Sequence, residues 1–278
     1  MKKHFFRLMA LTSIVALTFS ACRKNEEADN DTTAGEANAE AERVYDDVDR
    51  SISEAACMSK YLDNTGGNMM NTTCPTITID YPDSTTWPKT VTIDFGSTNC
   101  TGWGNIPRRG KIISVFTGKF RNPGTVITTT FDNYYVNDNH VEGTKTITNL
   151  GTNGAGNLYY SVVVSNAKIT RTDGTFMTWN STRTREWTQG SNTIGNTTDD
   201  IFLITGSGSG TNFGGNAFTV NITSPLQVQR GCKWIESGVI EITPANKPMR
   251  TIDFGNGNCD NQATITIKNK TYTITLKG

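Results

Sequence analysis

Beyond Gly67 the sequence is an almost continuous series of short segments in which β-forming residues alternate with polar ones. "TVTIDF" and "TFMTWNSTRTREW" are typical, and glycine- and asparagine-rich turns such as "RTDGT" and "NFGGNA" separate such segments. This alternation indicates strands with one buried face, and short turns join antiparallel neighbours. No stretch alternates strands with long amphipathic helices, which argues against a parallel α/β sheet. We therefore predict an all-β fold, a large antiparallel meander of about a dozen strands that forms a sandwich or a curled sheet.

A single helix is predicted ahead of the strands, at roughly residues 37–61. Apolar side chains recur in this segment at the spacing of one helical face. They are Val44, Val48, Ile52 and Ala55. The following "DNTGG" supplies glycines that can take the positive φ needed where a helix ends. We expect this helix to pack on the β domain or to bridge it to the segment before it, with binding of a partner as the alternative.

The N-terminus, "MKKHFFRLMALTSIVALTFSAC", has the order of a secretory signal peptide. Lys2, Lys3 and Arg7 precede an apolar run that is too short to span a bilayer, and small residues precede Cys22. The "FSAC" ending resembles the lipobox of bacterial lipoproteins, which implies lipidation of Cys22 and attachment to a membrane through that lipid. A soluble exported protein that is cleaved nearby is the alternative.

The segment after Cys22 is polar, acidic and poor in large apolar side chains, which is typical of a flexible tether. A lysine followed closely by Glu26 and Glu27 resembles the acidic export signal of Bacteroidetes lipoproteins. That resemblance implies display on the outer face of the outer membrane, with attachment facing the periplasm as the alternative. The predicted division is a lipoprotein signal peptide at 1–21, an acidic tether at 22–42, an amphipathic helix at 43–62 and one continuous β domain at 63–278.

The charge balance argues against a nucleic-acid partner. Removal of the signal peptide takes away three basic residues and leaves 23 basic against 26 acidic ones, a net charge of about −3. Nucleic-acid-binding domains instead carry a basic patch or stripe.

A repeated phrase predicts two disulfides. "TVTIDFGSTNC" ends at Cys100 and "MRTIDFGNGNC" ends at Cys259, while Cys74 and Cys232 open the preceding strands. An antiparallel hairpin brings the two cysteines of each copy together, and disulfides persist in exported proteins. Each bridge would close a loop of just under 30 residues and contribute about 3–4 kcal/mol. Cys57 is left unpaired, unless it pairs with Cys74 and displaces Cys100.

The second copy of the phrase also offers oxygen ligands that could suit Ca²⁺. They are Asp253, Asn256, Asn258, Asp260 and Asn261. The first copy lacks the counterparts of the last two, and turn chemistry explains the same residue types. We therefore predict no metal site and no cofactor.

The C-terminal run "RTIDFGNGNCDNQATITIKNKTYTITLKG", with the upstream "NAFTVNITSPLQVQRGCKWIESGVIEI", resembles the end of a group of Bacteroidetes lipoproteins of uncharacterised function. The resemblance is strongest over residues 200–278 and includes the lipobox. It implies an exported, lipid-anchored, β-rich protein, and it carries over no catalytic residue.

The sequence offers little for catalysis. His140 would be the sole histidine of the mature chain, in a predicted turn, and no GxSxG elbow accompanies it. A pair of carboxylates could still serve a glycosidase. The candidates are Asp132, Asp138, Glu142 and Glu186. Because sequence alone cannot place two of these together, we predict no catalytic residue and no enzymatic activity.

The aromatic residues give the best indication of a ligand. "WNSTRTREW" places Trp179, Arg183, Arg185 and Trp187 on one face of a strand, where arginines between tryptophans could hold a glycan. A ladder of cross-strand pairs is the structural alternative. The other tryptophans are Trp87, Trp103 and Trp234.

These observations lead to one functional hypothesis with two alternatives. We predict a lipid-anchored protein of the outer membrane and cell surface with a structural or adhesive, non-enzymatic role. A glycan-binding lipoprotein that uses the tryptophan and arginine face is the first alternative, and an enzyme acting on polysaccharide is the second. The expected partners are the membrane and either a glycan or another envelope protein.

Overall fold

The computed structural model describes residues 29–57, 62, 74–81, 83, 85–101, 105–193 and 196–276. Within these residues, 13 strands form one antiparallel sheet in chain order, preceded by one helix. The predicted fold class is confirmed, and the strands belong to one sheet instead of the two sheets of a sandwich. No helix in the described part of the chain is long and apolar enough to cross a bilayer.

The helix α1 spans Thr33–Cys57. The strands are β1 (Thr76–Ile79), β2 (Lys89–Asp94), β3 (Arg108–Phe116), β4 (Val126–Val136), β5 (Asn139–Thr152), β6 (Leu158–Thr170), β7 (Phe176–Gln189), β8 (Ile201–Thr211), β9 (Ala217–Gln229), β10 (Ile235–Pro244), β11 (Arg250–Asn256), β12 (Gln262–Ile267) and β13 (Lys270–Thr275).

The sheet curls around α1. Asp47 and Arg50 lie one helical turn apart, yet Asp47 bonds to Arg108 on β3 while Arg50 bonds to the carbonyls of Arg230 and Cys232 after β9. Six strand spacings on a flat sheet amount to roughly 29 Å, farther than the two side chains can reach. The sheet is therefore concave toward the helix, and its inner face forms the core together with α1.

The two faces of the sheet carry different residues. Inner positions are mostly apolar, aromatic or basic and are buried, as the alternating burial of β7 shows. One register line on the outer face crosses ten strands and consists mostly of hydroxyl and amide side chains. It contains Thr128, Thr146, Val163, Thr182, Ser207, Asn221, Glu241, Thr251, Thr266 and Thr271.

The helix begins earlier than predicted. It starts at Thr33, so residues 33–42 of the predicted tether are helical. The early turns have a buried face of small residues, Ala34, Ala37 and Ala41, and a Cβ on Gly35 would meet Ile252 at 3.0 Å. Sequence reasoning dismissed alanines as too small to form a buried face, but they let the helix approach the sheet closely. The predicted signal peptide, Cys22 and the expected end of the helix near residue 61 lie outside the described residues.

Candidate functional site

The most unusual feature of the interior is a set of ion pairs between acidic residues of α1 and basic residues of the inner sheet face. Asp47 and Arg108 form a two-point pair, in which Nε of Arg108 donates to Oδ2 at 2.8 Å and Nη2 donates to Oδ1. Both side chains are at most 4 % exposed. The pair is therefore a buried, charge-assisted contact.

Asp49, two residues further along the helix, binds two cations. Its Oδ2 lies 2.8 Å from Nζ of Lys145 on β5 and 2.9 Å from Nη1 of Arg185 on β7. The same Nζ donates to the carbonyl of Tyr45 at 2.7 Å. Burial lowers the pKa of Lys145, and the carboxylate of Asp49 opposes this shift. The cluster joins β5, β7 and the helix.

Further pairs surround this centre. Glu42 pairs with Arg183, and Glu40 binds Arg171 at 2.7 Å. Within the helix, Asp46 accepts a bond from Arg50 at 2.8 Å.

The pKa of Asp46 reports the balance of charge in this region. Burial acts to raise it, but the positive charges of Arg50, Arg230 and Arg185 outweigh burial and lower the pKa of Asp46 to about 2. The acidic helix and the basic inner face are thus complementary in charge.

The residues predicted to bind a glycan lie on this covered inner face. Trp179, Arg183, Arg185 and Trp187 share one face of β7 as predicted, but each is at most 8 % exposed. Their side chains are therefore not accessible to a glycan on the surface, which corrects the placement of that site. The structural alternative, a packed ladder, describes their environment.

The helix contacts Trp179 through two residues. Its indole Nε1 donates to Oδ1 of Asn38 at 3.1 Å, and its ring stacks on that of Tyr45 with 5.7 Å between centroids. Arg183 lies 5.8 Å from the same indole ring. Trp179 therefore packs against the protein's own helix.

A second cluster surrounds Trp187 near the end of α1. The indole packs 5.4 Å from the ring of Phe202, and the guanidinium of Arg121 lies 4.6 Å above the indole. Asp200 is buried beside this cluster. Burial raises the pKa of Asp200 to about 6, Asp199 adds to the shift and Arg230 opposes it.

Among the described residues, small cavities lie along the helix. One, of about 20 Å³, lies at the Trp187 cluster, and another, of about 40 Å³, lies between α1 and the inner face of β5 to β8. Such volumes accommodate one to a few water molecules. The helix therefore fills most of the concave face where a curled sheet could hold a ligand.

Both predicted disulfides are present. Cys74 pairs with Cys100 across 6.3 Å between Cα atoms, and Cys232 pairs with Cys259 across 5.7 Å. The alternative pairing of Cys57 with Cys74 is wrong because Cys74 is bonded to Cys100. The side chain of Cys57 lies outside the described part of the structure.

Two of the carboxylates considered for calcium serve turns. Oδ1 of Asp253 accepts the N–H of Gly255 at 2.9 Å, and Oδ1 of Asp260 accepts that of Gln262 at 2.8 Å. Glu236 lies close to Cys232 and Cys259, but the disulfide engages both sulfur atoms.

His140, predicted to lie in a turn, instead lies on the outer face near the start of β5, two residues after the turn at 137–138. Its ring packs 4.7 Å from that of Tyr135, and Nδ1 lies 3.6 Å from Glu142. One register line connects Arg109, Tyr135, His140, Thr170 and Phe176 across β3 to β7. Phe176 is 48 % exposed. This outer row combines aromatic rings with hydrogen-bonding side chains.

Three of the four carboxylate candidates lie on the outer face and Asp138 lies in the turn before β5, and each of the four has a partner. Oδ1 of Asp132 accepts a hydrogen bond from Nδ2 of Asn133 at 3.1 Å. Glu142 pairs with Lys168 at 3.3 Å. A hydrogen bond from Asn99 and one from Arg109 lower the pKa of Asp138, and a bond from Asn157 lowers that of Glu186. A general acid needs a raised pKa, so Asp138 and Glu186 are poorly suited to that role.

Two of the other tryptophans lie beside lysines. Trp87 has the Nζ of Lys89 at 4.9 Å from its ring, and Trp234 has that of Lys233 at 4.7 Å. Trp103 lies outside the described residues.

Sequence reasoning missed the acidic partners of the arginines. The signal was available, since Glu40, Glu42, Asp46, Asp47 and Asp49 form a dense acidic stretch within the helical pattern.

Comparison with protein-family models, curated proteins and solved structures returned no match. The resemblance to Bacteroidetes lipoproteins therefore stays a prediction.

Proposed function

We propose that the protein is a lipid-anchored protein of the outer membrane, displayed at the cell surface, with a structural or adhesive and non-enzymatic role. The observation that carries the proposal is the covered concave face. The helix nearest the predicted tether fills that face and is held there by buried ion pairs. Tension on a tether would thus act on α1, which is part of the core. Such an arrangement suits a protein whose β domain is anchored to a membrane.

The N-terminal sequence supports the anchoring part of the proposal. A signal peptide that ends in "FSAC" puts a cysteine at the position that lipoprotein processing modifies. Lipid attachment at Cys22 followed by a short polar segment would place the β domain close to the membrane surface.

Labelling with an alkyne fatty acid tests the anchor. Cells that express the full chain should incorporate label into the wild type and into Cys57→Ser, and lose it in Cys22→Ser. Cys22→Ser should also leave the membrane fraction. Label that persists in Cys22→Ser would refute lipidation at this residue. Protease treatment of intact cells then tests surface display, since a periplasm-facing protein would be protected.

Glycan binding is a second candidate function, and the outer row favours it. Arg109, Tyr135, His140 and Phe176 combine aromatic rings with hydrogen-bonding groups on the outer face, where Phe176 is exposed and the other three are partly exposed. Sugars bind to such combinations because the ring packs against C–H groups while polar side chains bond the hydroxyls.

A glycan array with the wild type, Tyr135→Ala and Phe176→Ala tests this candidate. The expected result is a glycan signal that both variants lose and that Thr182→Ala, at the centre of the outer face, retains. Equal signals from all four proteins would argue against binding at the outer row.

A further inference from the structure

The two end strands of the sheet differ in how well they are protected. β1 and β13 each pair with one neighbour, and no described strand pairs with the outer edge of either. β1 has four residues and follows Pro75, whereas β13 has six. Short strands and prolines discourage pairing at an edge, so β13 is the more open template.

The backbone of β13 has a defined orientation. The N–H of Leu276 donates to the carbonyl of Asn261 at 2.8 Å, which makes these two residues a hydrogen-bonded pair. Pairing of β12 with β13 continues through six successive positions without a register shift. Because hydrogen-bonded and non-bonded pairs alternate, Thr271, Thr273 and Thr275 direct their N–H and C=O groups away from β12.

The side chains of β13 leave this edge accessible. Thr271, Thr273 and Thr275 are exposed on the outer face, while Tyr272 and Ile274 are partly buried and pack on the core. The strand has no charged residue, proline or glycine between Thr271 and Thr275. Native proteins commonly use such residues to block edge pairing.

We propose that β13 pairs antiparallel with β13 of a second copy, about a two-fold axis at Thr273. Thr273 then faces Thr273 of the partner subunit, and Thr271 faces Thr275 of the partner subunit. Each opposing pair exchanges two hydrogen bonds through groups that already point outward. The interface is isologous, since the same strand serves both copies, and it continues the sheet across the axis.

Two requirements limit the register to pairing about Thr273 and to slips by two residues from it, and pairing about Thr273 retains the largest number of facing threonines. Opposing residues must share a face of the sheet, and both must direct their backbone groups toward the new partner. Threonine opposite threonine meets both requirements. A slip by one residue would place Thr273 against Tyr272 of the partner subunit. Inner side chains would then face outer ones, and backbone N–H and C=O groups that point toward the partner would face groups that point away from it.

Cysteine crosslinking of the full chain tests the register. Thr273→Cys should form an intermolecular disulfide under mild oxidation, because an opposing hydrogen-bonded pair has a Cα separation of about 5.5 Å. Thr271→Cys should not crosslink alone but should do so when combined with Thr275→Cys. Thr264→Cys, opposite Thr273 on β12 and on the same outer face, is the matched control. Crosslinking of Thr273→Cys no stronger than that of Thr264→Cys would overturn the proposal.

Thr273→Pro tests the contact itself. The N–H that proline removes points away from β12, so the fold should be retained with an unchanged far-ultraviolet circular dichroism spectrum. Sedimentation velocity of the full chain in detergent should show a concentration-dependent dimer for the wild type and for the control Thr264→Lys. Thr273→Pro should sediment as a monomer. A wild type that stays monomeric, or a dimer that persists in Thr273→Pro, would contradict pairing through β13.

Discussion

The inner and outer faces of the sheet hold their charges in opposite ways. Arg108 and Arg109 are neighbours on β3, and each pairs with an aspartate. The pair of Arg108 with Asp47 lies inside, and the pair of Arg109 with Asp138 lies outside, where Asp138 is 51 % exposed. Buried pairs are costly to break because the remaining charge is stranded, whereas exposed pairs contribute little. The same type of ion pair, one residue apart on β3, should therefore differ in how much its loss destabilises the fold.

The comparison also explains why the arginine and tryptophan ladder is not a surface site. On β7 the inner positions face an acidic helix, while the outer positions face solvent. A buried ion pair seldom adds net stability over a well-packed apolar contact, but it can fix one arrangement among several. We infer that the ion pairs of α1 fix the position of the helix along the concave face.

The largest expected effect comes from breaking the inner pair. Asp47→Ala should lower the free energy of unfolding by about 3–5 kcal/mol, because Arg108 then remains buried without its carboxylate. Asp138→Ala, which removes the partner of Arg109, should cost at most about 1 kcal/mol. Urea unfolding followed by circular dichroism measures both. Equal losses of unfolding free energy in the two variants would show that burial does not make the inner ion pair more costly to break than the outer one.

A change of pH should act on the inner face through Asp200. Its raised pKa means that the folded state binds more protons than the unfolded state between about pH 4 and pH 6. The stability contributed by this group is therefore present below pH 4 and is lost as the pH rises through 6. Relative to Asp200→Asn, the wild type should lose about 2 kcal/mol of unfolding free energy from pH 4 to pH 7. A constant difference across this range would contradict the assignment.

Removal of the indole N–H of Trp179 should have a smaller effect. Trp179→Phe leaves Oδ1 of Asn38 without its donor at a position that is 1 % exposed. The expected loss is about 1–2 kcal/mol of unfolding free energy. Phe176→Leu, three residues away on the exposed face, is the control and should cost less than about 0.5 kcal/mol. An unchanged free energy of unfolding in Trp179→Phe would mean that Asn38 accepts a hydrogen bond from another donor.

The smallest effect is expected at the centre of the outer face. Thr182→Ala and Ser207→Ala alter a facing pair on the exposed line of hydroxyls and should change the free energy of unfolding by no more than about 0.5 kcal/mol each. Thermal unfolding would check this. A loss near that of Trp179→Phe would show that the outer face also carries tertiary contacts.

Much of the fold could be predicted from the sequence because the signals are local. Alternating residues set the strands, glycine and asparagine set the turns, and two repeated hairpins set the disulfides of Cys74 with Cys100 and of Cys232 with Cys259. The shared face of Trp179 and Trp187 also follows from a period of two. Where helix α1 begins was harder to predict, because a run of alanines gains its buried face only from the sheet.

The sequence by itself determined which residues of β7 share a face, since successive side chains of a strand point to opposite sides. Only the tertiary structure decided that this face is covered and that the cover is the protein's own acidic helix. The deciding contacts join residues 136 to 141 positions apart, such as Asp49 with Arg185 and Asn38 with Trp179. Alternation gives a strand two faces but does not specify what packs on each, because that depends on how the whole sheet curves.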